Sequence, residues 1–323
     1  MLSTKKWDLV FKIFCYISKG ILISLVCVGC NILDLLYLCI IIAVIFEYVV
    51  DKKLKWLYYI ISIIFLWRYF MYIDTHCHVL SEYYNNIEVI VKKCIENNVT
   101  KIIVSGCDMK SNKEVLELVN KYDIIYGTLG FHPTELEDFK EEYFDFLIEN
   151  INNKKIVGIG EIGLDYHYEN TDKEKQRRIF NKQLEIAEKF NRPVVIHSRN
   201  AIQETYDMLS KYNLKGSIHC FSGSLEMAKL FIRLGYKIGV GGIITFKNAK
   251  NIIKVIENID LSYILLETDS PYLSPEPYRG SKNDPSNIPI IAEKLASLKN
   301  VSIAEVARVT TSSAEEEFDF FSK

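Results

Sequence analysis

The chain lacks a strong charge of either sign, holds few histidines and carries its cysteines in no recognisable order. Each shortage narrows what it can be. Across 323 residues, 39 Lys and Arg stand against 41 Asp and Glu, a net charge of −2. The balance is uneven: residues 1–70 hold eight basic and four acidic side chains, leaving 31 against 37 for residues 71–323. A mildly acidic body argues against a broad DNA-coating surface. It leaves open a nucleic-acid substrate handled at a metal site, where ions supply the positive charge. Of eight cysteines, Cys15, Cys27, Cys30 and Cys39 lie early, and Cys77, Cys94, Cys107 and Cys220 are scattered beyond. No spacing suggests a disulfide framework or a zinc ribbon, and Cys27-x-x-Cys30 sits in apolar surroundings without a matching pair. Reduced, mostly buried thiols in an intracellular body are expected.

A small-residue cleavage site is also missing after the apolar leader, whose charged lead-in Lys5–Lys19 is long; both argue against a cleaved signal peptide. Ile21–Cys30, Leu35–Phe46 and Trp56–Trp67 are apolar blocks. The first two make one span of adequate length, weakest at Asn31 and Asp34, or a hairpin that enters and leaves one face. Trp56, Tyr58, Tyr59, Trp67 and Tyr69 lie near the ends of the third block, where interfacial aromatics are favoured. Residues 1–70 are therefore expected to be a hydrophobic, membrane-associated helical segment with one or two transmembrane helices. Basic residues flank the blocks on both sides and assign no orientation. The alternative is that Met71 is the natural initiator and the leader an appended segment, which leaves a cytoplasmic or nuclear protein.

Residues 71–323, about 250 in all, are a common size for one α/β barrel. Short apolar runs alternate with amphipathic stretches: Met71–Thr75, Lys101–Ser105, Ile124–Gly130, Ile156–Gly160, Pro193–His197, Gly216–His219, Tyr236–Val240 and Tyr263–Glu267. Their spacing leaves room for a crossover helix each time and not for a hairpin. Candidate helices are Ile87–Asn97, Asn112–Lys121, Phe139–Asn150, Glu174–Phe190, Ile202–Lys211, Leu225–Leu234 and Asn248–Ile256, with Ile288–Lys299 and Ile303–Val309 closing the chain. Eight such repeats predict a TIM-type (β/α)8 barrel, with a doubly wound open sheet as the rival.

The polar residues fall where a barrel would use them. In Met71–His78, His76 and His78 are two apart, so on an extended backbone both imidazoles project to one side, and Asp74 is placed to orient a ligand. By itself His-x-His is weak evidence, because paired histidines also occur on ordinary polar edges. Glu161 follows the fourth strand, His197 ends the fifth, His219 ends the sixth and Asp269 follows the eighth. All of these positions lie at the carboxyl mouth, and so does His132 in Gly-Phe-His-Pro; only six histidines exist in the chain. Mixed nitrogen and oxygen ligation suits Mg2+, Mn2+ or Zn2+, and six ligands suffice for two ions. Glu161 is the natural bridge, and Asp269 could bind a metal and also take a proton from the attacking water. Taken singly, each has a plainer reading: a hydrogen-bonded strand-end histidine, or an Asp that caps the turn before Ser-Pro.

Ile-Asp-Thr-His-Cys-His (73–78), Gly-Glu-Ile-Gly-Leu-Asp-Tyr (160–166), Val-Ile-His-Ser-Arg (195–199), Ile-His-Cys-Phe-Ser-Gly (218–223) and Leu-Glu-Thr-Asp-Ser-Pro-Tyr-Leu (266–273) closely resemble the motifs of the TatD-like metal-dependent deoxyribonucleases. Gly-Phe-His-Pro (130–133) and Arg-Gly-x-x-Asn-Asp-Pro (279–285) fit as well. The resemblance implies an amidohydrolase-like barrel with a divalent metal centre that cleaves DNA phosphodiesters, often from the 3′ end. It implies His76, His78, Glu161, His197, His219 and Asp269 as ligands. His132 and Asp165 would face the substrate or support the ligands, and Arg199 and Arg279 would contact phosphate, with an ordinary surface or loop-anchoring role as the alternative for both arginines. Two features depart from the family: the closing stretch Thr310–Phe321, which puts the last helix's packing in question, and the apolar leader. A metal-dependent ester or amide hydrolase, such as an aminoacyl-tRNA deacylase, is the competing function, and a tethered binding protein without catalysis is a third. Many amidohydrolases carry a bridging lysine at the end of strand four; Glu161 holds that place here and favours the nuclease branch.

Overall fold

The computed structural model describes residues 71–318 and Phe320. The chain divides after Trp67 into two units, and the described residues all belong to the second. The expected leader, residues 1–70, lies outside the described residues. Among those described, no helix is long and apolar enough to cross a membrane.

Aliphatic and β-branched runs suit a pleated, buried surface. They form eight strands: β1 Tyr72–Cys77, β2 Val99–Ser105, β3 Ile125–Leu129, β4 Ile156–Asp165, β5 Val194–Arg199, β6 Gly216–Ile218, β7 Tyr236–Val240 and β8 Ile264–Leu266. Neighbours pair in parallel and in chain order from β1 to β8. The crossovers carry α1 Ile87–Glu96, α2 Met109–Lys121, α3 Tyr143–Asn150, α4 Lys173–Lys189, α5 Ile202–Leu209, α6 Leu225–Arg233 and α7 Lys250–Asn258; α8 Ile288–Lys299 and α9 Ile303–Glu317 follow the last strand. Most starts are marked in the sequence: the side chains of Asn86, Asp108, Asp172, Ser224 and Ser302 each accept from a backbone amide of the first turn.

β8 returns to β1, so the sheet is a near-closed (β/α)8 barrel and not an open doubly wound one. Thr75 Oγ1 donates to Leu266 O at 3.0 Å, Asp269 N to His76 O at 3.0 Å and His78 N to Ser270 O at 2.7 Å. Asp74, expected to orient a metal ligand, clasps this seam. Its fully buried carboxylate accepts from Thr268 N at 3.0 Å, from the Thr268 hydroxyl and from His76 N at 3.2 Å. Strand pairing is irregular between Asp74 and Cys77. That irregularity changes the in-out alternation, so Ile73 points into the apolar barrel interior and His76, three residues on, into the mouth.

The amino end of the barrel is plugged. Ile73, Ile103, Val157, Val195 and Leu265 from five strands pack against Ala314, Phe318 and Phe320. α9 therefore runs eight residues beyond the expected Val309. Thr310–Ser313 reads as a helix breaker because hydroxyls compete for backbone groups. Here the hydroxyls have buried partners: Thr310 Oγ1 donates to Val306 O, Thr311 Oγ1 to Met71 O and Ser313 Oγ to Ser262 O. α3, by contrast, starts four residues later than expected, since Phe139 leaves the helix path to pack on Phe131, Tyr143 and Phe144.

Glu317 ends α9 buried, with Oε1 unpartnered. Burial pushes its carboxyl up to about 7, against partial relief from Lys215 and Lys237. The folded state thus holds this proton more tightly than the unfolded chain does. Its stabilising contribution is complete below the ordinary value of 4.5 and is lost as pH rises through about 7. The shift corresponds to about 3 kcal/mol. Glu317→Gln is expected to be the more stable protein near pH 8 and to match the parent near pH 4.5. Urea unfolding of both proteins at the two pH values checks the difference.

Candidate metal centre

Side chains from the ends of six strands meet at the carboxyl mouth. His76 lies on β1 with His78 just beyond, Glu161 and Asp165 on β4, His197 on β5 and His219 immediately after β6. Asp269 follows β8 by three residues and His132 follows β3 by three. Asp269 has φ +53°, a left-handed backbone that Asp tolerates better than most residues.

The ligand-type atoms gather about the two oxygens of Glu161, and His219, whose Nε2 is also 3.9 Å from Asp269 Oδ1, stands between the two sides. On the Oε2 side, His76 Nε2 and His78 Nε2 are 3.2 Å apart. Glu161 Oε2 is 3.3 and 3.4 Å from them, and Asp269 Oδ1 is 3.6 Å from both. Four donors at about 2.1 Å from one tetrahedral ion would be about 3.4 Å apart, so these spacings fit a cation. On the Oε1 side stand His197 Nδ1 at 2.9 Å, His132 Nε2 at 3.4 Å and His219 Nε2 at 3.5 Å. His132, set by the resemblance among substrate-facing or supporting positions, thus stands as near to Glu161 as the expected ligands do.

His76, His78 and His197 are hydrogen-bonded from behind, the arrangement that fixes a metal-binding tautomer. His78 Nδ1 donates to Ser105 O at 3.1 Å, and the Ser105 hydroxyl lies 3.0 Å from His76 Nδ1 and 2.9 Å from Thr128 Oγ1. His197 Nε2 meets Asp165 Oδ2 at 3.1 Å, and the Asp165 backbone is tied at both N and O to the Gln176 side chain of α4. Gly163 permits this approach, for a Cβ there would sit 1.9 Å from His197 O. His219 Nδ1 faces Glu267 Oε1 at 3.3 Å, and the same oxygen accepts from Cys220 N at 2.6 Å.

Charge in this pocket is tightly coupled. Burial works against ionisation of Glu161, yet His219, His132 and His76 hold it well below the usual carboxylate range. Burial likewise opposes charge on His219, and Glu161, Glu267 and Asp269 overcome it to push that imidazole up to about 10. Burial raises Asp269 to about 6 against the pull of His219 and His78. Buried carboxylates of this kind call for positive charge, which protons or divalent cations can supply; metal uptake must therefore displace protons.

The two arginines stand apart. Arg199 is exposed at the end of β5, its guanidinium 5.9 Å from the Tyr168 ring centre. Arg279 lies 4.3 Å over Phe246 and 4.0 Å from Glu276, and none of its described contacts reaches the cluster. Sequence reasoning missed Ser105 and Glu267. A signal existed for both: Ser105 ends β2 at the mouth, and Glu267 precedes Asp269 by two residues. Glu267 Oε2 has no partner, and a Cβ on Gly239 would come within 2.4 Å of it. Glu267→Gln, and Gly239→Ala acting only by displacing Glu267, are both expected to weaken divalent-metal binding about 10- to 100-fold. Chelator competition measures this, with an unchanged far-ultraviolet circular dichroism spectrum as the folding control.

The chain matches the family model described as TatD related DNase over residues 73–319. The uncharacterized metal-dependent hydrolase YabD of Bacillus subtilis is 35% identical over 252 residues, covering 77% of this chain and 99% of the relative. The crystal structure of YjjV, a TatD homologue from Escherichia coli, aligns with a TM-score of 0.74 at 31% identity, over 78% of this chain and 99% of that one. A TatD-family hydrolase from Entamoeba histolytica aligns with a TM-score of 0.70 at 25% identity, over 77% and 98%. With that model spanning the barrel from β1 past α9, and with these relatives matched along nearly their whole lengths, the chain belongs to the TatD-related DNase family and is a metal-dependent hydrolase.

Proposed function

We propose that this hydrolase cleaves phosphodiester bonds of DNA, with two divalent cations held on the two sides of Glu161. One observation carries the reading: a single buried carboxylate presents each of its oxygens to a separate group of donors. His76, His78 and Asp269 would hold one ion with Oε2. His197, His219 and His132 would hold the other with Oε1. When bound, such a pair activates water and stabilises the attacking and leaving oxygens of an in-line displacement.

The chain's own residues supply the rest. Asp269 has a partly exposed carboxylate at the rim of the cluster and can take the water's proton and pass it to solvent. Asp165 holds His197 in place from the side away from Glu161. Arg199, exposed at the end of β5, and Arg279, exposed between β8 and α8, offer the positive charge that an acidic body otherwise lacks and would steady flanking phosphates. Residues 1–70 are proposed to hold the barrel at a membrane; co-sedimentation of the full chain with membranes, lost for residues 71–323, tests that separately.

Purified protein with Mg2+ or Mn2+ is expected to degrade single-stranded DNA, and both EDTA and Glu161→Ala to reduce degradation to background. Degradation that survives both treatments would reject the mechanism. Release of amino acid from charged tRNA without DNA degradation would move the activity to the ester-hydrolase alternative.

A further inference from the structure

Cys107 stands two residues past β2, on the loop that leads into α2, and no step above uses it. Its backbone is held on both sides, by α2 and by the cluster. Cys107 N donates to Ser111 Oγ at 2.9 Å, and Cys107 O accepts from His132 N at 2.8 Å. The preceding carbonyl, Gly106 O, accepts from Glu161 N at 3.0 Å. The sulfur is therefore set relative to two of the ligand-type residues. Sγ lies 4.0 Å from Glu161 Oε2 and 3.8 Å from His78 Nδ1, the ring nitrogen that donates to Ser105 O, and the residue is half-buried. His78, Cys107 and Glu161 accordingly form a group that could share one metal ion.

The distances suit a sulfur ligand. A zinc–sulfur bond of about 2.3 Å and a zinc–oxygen bond of about 2.0 Å together reach about 4.3 Å, more than the Sγ to Oε2 separation. Hard ions behave differently. Mg2+ prefers oxygen ligands and retains its waters, whereas softer ions accept thiolate readily.

We propose that Cys107 is a metal-selecting residue of this centre: a thiophilic divalent ion on the Oε2 side of Glu161 takes its sulfur as a ligand, while Mg2+ leaves it free. The step forms one metal–sulfur bond and releases the thiol proton to solvent, with no change of oxidation state. Its consequence is a division by metal. A sulfur ligand closes a position that a hydrolytic site keeps open, so the zinc form is held more tightly and turns over more slowly than the Mg2+ form. The inference rests on the reading of Glu161 as a metal holder.

The test loads the full chain with Cd2+ or Co2+ alone and follows the near-ultraviolet sulfur-to-metal charge-transfer band. The band should appear in the parent, vanish in Cys107→Ser and persist in Cys220→Ser, whose thiol stands with His219 and Asp269. A second readout needs no variant: Zn2+ should slow alkylation of Cys107 severalfold, and Mg2+ should not. A bound ion without the band, a band that survives Cys107→Ser, or equal alkylation under the two metals would overturn the proposal. Equilibrium dialysis separates the two possible failures. Metal bound without a band defeats only the role of Cys107, whereas no metal bound by the parent, or binding unaltered in Glu161→Ala, defeats the metal-centre reading beneath it.

Discussion

Everything at the mouth of this barrel answers to one buried carboxylate. Glu161 is 2% exposed and sits where five imidazoles converge on it within 3.5 Å. An ion buried without compensation costs several kcal/mol, so such a group persists only when opposite charge and hydrogen bonds surround it. Protonated imidazoles meet part of that demand: against burial, His78 is raised by Cys107 and Glu161, His197 by Asp165 and Glu161, and His219 by Glu161, Glu267 and Asp269. Divalent ions meet it more completely. The electrostatic strain on the protein and its function as a metal enzyme share this cause.

Rigidity around Glu161 comes from ordinary fold physics. Parallel strands bring their carboxyl ends to one face, and a near-closed sheet fixes the order in which those ends meet. Asp74 and Thr268 tie β1 to the segment after β8, so the two ends of the catalytic sequence cannot drift apart. Beneath the cluster, the Phe318 and Phe320 plug fills the interior where a cavity would let strands shift. Behind His76 and His78 stands Ser105, behind His197 Asp165, and Glu267 faces the far nitrogen of His219. Ser105 serves two histidines at once, through its carbonyl to His78 and its hydroxyl to His76.

Much of this was legible in residue order. Strands of β-branched residues separated by capped amphipathic helices announce an alternating fold, and His76, His78, Glu161, His197, His219 and Asp269 fall one after another at strand ends. The supporting residues were less visible. Position at a strand end hints that Ser105 and Glu267 reach the mouth, but which histidine each faces is not marked, because that histidine belongs to another strand. The extension of α9 through Thr310–Ser313 was hidden for a similar reason: those hydroxyls are tolerable in a helix only because Met71 and Ser262 offer carbonyls to two of them.

The sequence by itself determined the kind of structure and the kind of chemistry. Period, capping and strand-end histidines depend on neighbours along the chain, and such patterns survive without coordinates. Tertiary structure alone decided how the donors divide. Which oxygen of Glu161 faces which imidazole, that His132 joins the Oε1 group, and that Cys107 comes to rest beside His78 all depend on register and loop path. Those are set by packing between segments as many as 194 residues apart, whose energies no local pattern encodes.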